Sequence, residues 1–130
     1  MSVRPAAIEA NVTAGSRDQA PGAIDLQHLS RYTLGDRGLE KEILLLFLAQ
    51  LPETIAALST ATSERDWKVA AHTLKGSGRA VGAWRIARLA EDAEGLLFGI
   101  NREARLDAVA RFEEAVLEAR AFIDAVYGPA

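Results

Sequence analysis

The chain has 130 residues, 49% of them hydrophobic and 25% charged, with a formal net charge of −3. That is the size of one ordinary domain with a single core, and the charge is too small to draw the protein to nucleic acid or a membrane by bulk electrostatics. It contains no cysteine, which excludes disulfides, thiolate zinc sites, iron–sulfur clusters and a cysteine nucleophile and fits a cytoplasmic address.

Residues 1–21 mix Ala, Gly, Ser, Asn and Pro without sustained periodicity and are expected to form a poorly ordered tail. Glu9, Asn11, Arg17 and Asp18 interrupt any apolar stretch there, so no secretory signal is expected. The longest apolar run, Ile43 to Ala49, is far short of the roughly 20 residues that span a bilayer, and the chain reads as soluble. Ile24, Leu26, Leu29 and Tyr32 predict a short helix with Asp25 near its start, broken at Leu34-Gly35-Asp36. Asp36 is placed to cap a long helix whose apolar residues Leu39, Ile43, Leu46, Phe47, Leu51, Ile55 and Leu58 recur by threes and fours. Pro52 interrupts it and predicts a kink near Gln50 and Leu51, or two helices in succession.

Ser63, with Asp66 three residues later, predicts the start of a third long element that Gly82 ends. Ala83 to Leu97 takes up the helical period again, and Gly99 and Asn101 close it. A final helix is expected over Arg102 to Tyr127, stopped by Gly128-Pro129. The fold class is all-α. Four amphipathic helices with short joints predict an antiparallel up-down four-helix bundle over residues 22–128, with a short extra helix at its N-terminal end.

The most specific chemical signal lies in the third element. With about 100° of rotation per residue, Lys68, Lys75, Gly76 and Arg79 all fall within roughly 60° of His72. Trp67, Ala70, Leu74, Ser77, Gly78 and Val81 fall about 120° or more away and form the packing side, so His72 points outward. An imidazole ordinarily titrates near 6.5, which leaves an outward ring a free lone pair at neutral pH. The surrounding cations oppose a metal ion and favour a phosphoryl group. Glycine inside a helix costs about 1 kcal/mol relative to alanine, and Gly76 sits one turn beyond the histidine on the same face. A bare backbone there lets another macromolecule come close to the ring. Gly78, on the packing side, would admit a neighbouring helix.

The run His72-Thr73-Leu74-Lys75-Gly76-Ser77-Gly78-Arg79-Ala80-Val81-Gly82-Ala83 resembles the signature of the histidine-containing phosphotransfer (HPt) domains of bacterial phosphorelays. The resemblance extends over about residues 22 to 127. Histidine, the lysine three later, the glycine four later, the small residue after it and Gly-Ala at the end stand in the family's places. Ala80 departs from them, where family members often have a small polar residue. The resemblance favours one kinked helix at Pro52.

It implies a carrier, His72, that accepts phosphate from a receiver-domain aspartate and passes it to another receiver. Lys75 and Gly76 complete the core of the site, with Lys68, Arg79 and Ser77 as supporting residues. The implied partners are response-regulator receiver domains and a hybrid histidine kinase. No cofactor of its own is implied, magnesium being expected in the receiver, and a monomer is expected. Two alternatives stand beside this. One is the phosphoacceptor and dimerisation domain of a histidine kinase, including the chemotaxis type, against which no kinase domain follows in the sequence. The other is a bundle that binds receivers without transferring phosphate.

Other residues read as structural. His28 is expected in a plain surface role, while Trp67, Trp84 and Phe98 read as core and helix-end packing rather than a stacking platform. Between Glu64 and Ala90 six cations face two acids, a local excess of +4 on an acidic protein, which implies an anionic partner. Leu26, Leu29 and Leu34 are candidates for a docking surface.

Overall fold

A computed structural model describes residues 22–96, 98, 99 and 102–128. Within them the chain forms α1 (Leu26–Thr33), α2 (Arg37–Ser59), α3 (Glu64–Val81), α4 (Trp84–Glu94) and α5 (Arg102–Tyr127), and no strand. The tail expected over residues 1–21 lies outside the described residues.

The first backbone N–H groups of a helix have no partner within it, and short polar side chains set the starts by accepting them. Asp25 accepts from the His28 amide at 3.1 Å, Asp36 from Leu39 at 3.0 Å and Ser63 from Asp66 at 3.1 Å. Left-handed residues set two of the ends, Leu34 (φ 55°) after α1 and Gly82 (φ 79°) after α3. Gly82 also has no room for a side chain, because a Cβ there would lie 2.9 Å from the Asp25 carbonyl oxygen.

α2 is a single helix through Pro52, the alternative that the resemblance favoured over two helices in succession. One boundary differs from expectation in an informative way. α4 stops at Glu94 instead of continuing to Leu97, because the Gly95 amide turns back onto the Asp92 carbonyl at 3.2 Å. This early stop places the Glu94 side chain at a helix end.

α2 packs on α3 and α5, and α4 packs on the same two helices, so the four close into a ring while α1 lies against α2 and α3. The short joints between α2 and α3 and between α3 and α4 make consecutive helices antiparallel. Leu44, Leu51, Leu58, Trp67, Leu74, Phe112 and Ile123 are fully or almost fully buried inside the ring, each leucine contributing about 1.5–3 kcal/mol of burial. α2 has a mean hydropathy of 1.5 over an 18-residue window, enough by length and composition alone to cross a membrane. Here its apolar face closes the bundle core.

The α3–α4 contact positions the site. A Cβ on Gly78 would lie 3.0 Å from the Ala87 nitrogen and 3.1 Å from the Ala83 carbonyl oxygen, so the missing side chain is what lets the two backbones approach, as expected. The buried Trp67 indole N–H donates to the Ala93 carbonyl at 2.7 Å and ties the other end of the pair.

α1 is held on the α3–α4 joint. The Asp25 amide donates to the Gly82 carbonyl at 2.8 Å, and the Trp84 indole donates to the Asp25 carboxylate at 2.9 Å. This overturns the plain surface role expected of His28: its ring packs edge-on against Trp84 at 4.9 Å and Tyr32 at 5.4 Å, and both ring nitrogens are buried without a partner. Glu40, a buried carboxylate on α2, accepts from Thr33 at 2.7 Å and Tyr127 at 2.9 Å, joining three helices. Burial, helped by the Glu40 carboxylate, pushes the Tyr127 hydroxyl up to about 12, so it stays a donor at neutral pH.

Candidate functional site

His72 lies on α3, nine residues before its last residue Val81, with its side chain 71% exposed. Its Nδ1 lies 3.2 Å from Oε2 of Glu94 on α4. Lys75 Nζ donates to the other oxygen, Oε1, at 2.6 Å, and the Lys75 side chain is only 17% exposed. One carboxylate therefore joins the imidazole to the lysine one turn along. The Lys75 hydrogen bond, with a smaller contribution from His72, holds the Glu94 carboxyl below its ordinary value of 4.5 against an opposing desolvation effect.

This geometry assigns the ring's proton. An ionised carboxylate can only accept, so the Nδ1 that faces it must carry hydrogen, and the neutral ring's lone pair is left on Nε2. The base is oriented by its partner's charge, the same logic by which a buried aspartate fixes a catalytic imidazole elsewhere.

The other expected residues divide. Gly76 is exposed, and a Cβ built there would meet nothing within 4 Å. No packing within the described residues requires glycine at this position. Arg79 is on the histidine's face but pairs with Glu91 at 3.5 Å, both side chains being more than half exposed; such surface pairs are worth about 1 kcal/mol or less. Lys68 is half-buried on that face. Ser77 is half-buried and round the helix from His72, so the structure does not bring it to the ring.

The local basic excess is also corrected. The sequence window closed at Ala90, one residue before Glu91, Asp92 and Glu94, and the fold returns those acids to the cations: Lys75 to Glu94, Arg79 to Glu91, and Arg85 to Glu118 across the α4–α5 contact. Beside His72, Lys75 and Arg79 are therefore paired charges and not free cations. Among the described residues no three His, Asp or Glu side chains converge as a metal ligand set.

Glu94 is the residue of this cluster that sequence reading missed. A signal existed in hairpin arithmetic: Gly78 touches Ala87, so six residues back from one and seven forward from the other arrive at His72 and Glu94.

The profile of the Hpt domain family matches residues 42–126, from the second turn of α2 almost to the end of α5. The chain belongs to the Hpt domain family. Hpt domains act in phosphotransfer within His-Asp phosphorelays, and their partners are receiver domains of response regulators or kinases. No curated protein and no solved structure matches the chain. Within this Hpt domain His72 is exposed on α3, beside the end of α4.

Gly76 gives a prediction that separates stability from recognition. Gly76→Gln removes the helix penalty of glycine and adds a side chain into open space, so chemical denaturation should show a protein as stable as the parent or more so, by up to about 1 kcal/mol. The same side chain stands on the approach to His72. Receiver-dependent labelling should fall at least tenfold, and unchanged labelling would remove Gly76 from the site.

Proposed function

We propose that His72 is a phosphoryl carrier, taking the group from a receiver aspartyl phosphate and delivering it to a second receiver. The observation that supports this most is the Nδ1 contact to Glu94, which leaves Nε2 as the outward-facing nucleophile. In the forward step the Nε2 lone pair attacks phosphorus, the bond from phosphorus to the aspartyl oxygen breaks, and the aspartate leaves as carboxylate. The ring gains positive charge while Nδ1–H still faces the Glu94 carboxylate, which stabilises it. Lys75 is within reach of the site to offset the charge of the incoming group. The return step runs the same bonds backwards on the second receiver.

In this reading Lys68 and Arg79 add a general positive field, and Ser77 contributes only as a small residue in the motif. Magnesium, required to neutralise an acyl phosphate, belongs to the receiver's acidic pocket and not to this chain. The protein works in the cytoplasm beside its receivers and a hybrid kinase.

The docking surface surrounds His72 and Gly76. Of the three leucines expected on it, Leu29 is a core residue of the bundle and Leu26 packs partly against the core, because the inward face of α1 is what holds that helix down. Leu34 is 90% exposed.

The test is transfer of label from a phosphorylated receiver domain to the protein. Transfer to the protein and onward to a second receiver would support the carrier. Stable receiver binding without labelling would replace it with a docking-only bundle, and labelling by ATP with a kinase domain but by no receiver would replace it with a kinase phosphoacceptor domain.

A further inference from the structure

We propose that the α2–α5 side of the bundle is a homodimer interface in which α5 pairs antiparallel with α5 of a second copy. The inference is independent of the phosphotransfer reading and departs from the monomer expected at first.

Leu106 and Leu117 on α5 are 56% and 68% exposed. At about 100° per residue they lie roughly 20° apart, with Ala110 and Glu113 between them and Glu103 and Arg120 at the two ends. All six are exposed, on the side of α5 away from buried Phe112, Ala115, Ala119 and Ile123. Their alternating spacing of three and four is that of a coiled-coil seam. Beside the seam, Val109 and Val116 turn toward α2 and line two adjoining cavities. One, of about 430 Å³, is bordered by Pro52, Ile55 and Leu117; the other, of about 470 Å³, by Leu58, Trp67 and Leu106. Both share Ser59, Val109 and Glu113, so they form one groove.

Charge identifies the occupant. A two-fold interface must be self-complementary. An antiparallel pairing that sets Leu106 opposite Leu117 of the second copy also sets Glu103 opposite Arg120 of the second copy, and the two-fold repeats both contacts. A parallel pairing would face Glu103 with Glu103 and Arg120 with Arg120. In the antiparallel register each leucine is presented to the cavity that its opposite leucine borders. The seam's one discord is Glu113, which falls opposite Ala110 on both sides of the axis and limits the affinity. His72 lies about 140° round α3 from Trp67, which borders the groove, and its ring faces Glu94 on α4, so both copies of His72 remain open.

Sedimentation equilibrium on the whole chain, from ~10 μM to ~1 mM, should show the mass rising from 14.0 kDa toward twice that value. Leu117→Glu should hold it at 14.0 kDa with helical circular dichroism unchanged. Glu103→Arg should weaken association at least tenfold, and adding Arg120→Glu should restore it. Constant monomer mass, a dimer indifferent to Leu117→Glu, or charge reversal without rescue would each overturn the proposal.

Discussion

Replacing His72 by glutamine should leave a folded helical protein that takes no label from a phosphorylated receiver. The side chain is largely in solvent, with its ring nitrogen on Glu94, so surface substitution should move stability by no more than about 0.5 kcal/mol. Glutamine keeps a polar side chain of similar reach but has no ring nitrogen to attack phosphorus. The loss should therefore be complete, while affinity for the unphosphorylated receiver changes little. The label on the parent protein should be released by acid and survive base, as a phosphorus–nitrogen bond does. Labelling of His72→Gln at more than a few per cent of the parent would place the acceptor elsewhere, and base-labile label would point to a carboxylate.

The second large effect is expected at Glu94. In Glu94→Gln the donor Lys75 keeps the amide oxygen and turns the amide NH2 to Nδ1, which favours the tautomer with hydrogen on Nε2 and blocks the nucleophile. Transfer should slow by on the order of tenfold to a hundredfold, with receiver affinity nearly unchanged. A merely structural role would not alter the ring, so ¹⁵N shifts of the His72 imidazole are the deciding readout. They should report Nδ1–H in the parent and lose that preference in the variant. Retained tautomer and rate would remove Glu94 from the mechanism.

The pH dependence follows from the direction of the Glu94 shift. Its folded value lies below the ordinary 4.5 because Lys75, then His72, favour the ionised form. Its contribution to stability is thus present above that ordinary value and is lost as pH falls through the folded one. Melting temperatures of the parent and Glu94→Gln should differ at neutral pH and converge in acid below the carboxylate range; a gap that persists there would mean the pair is not the cause.

Much of the fold was legible because its signals are local. Asp36, Ser63 and Gly82 are caps whose chemistry depends on a few neighbouring residues, and each sits where the sequence placed it. The failures share one origin, a neighbour distant in sequence. His28 has no apolar pattern of its own to announce burial; it is covered because Asp25 binds Gly82 and Trp84, bringing α1 onto a joint more than fifty residues away. Leu29 is a core residue and not a docking residue, because a short helix shows its apolar face in sequence without showing what covers it. The basic segment lost its excess when α4 and α5 returned their acids to it.

The sequence by itself determined the helices, their order and the outward face of His72, since these rest on period, caps and a short motif. Only the tertiary structure decided the state of that histidine. A ring's tautomer is set by the charge opposite it, and that charge, Glu94, lies 22 residues away on another helix. It reaches the ring because a glycine at 78 lets two backbones meet and a turn at Gly95 ends α4 early.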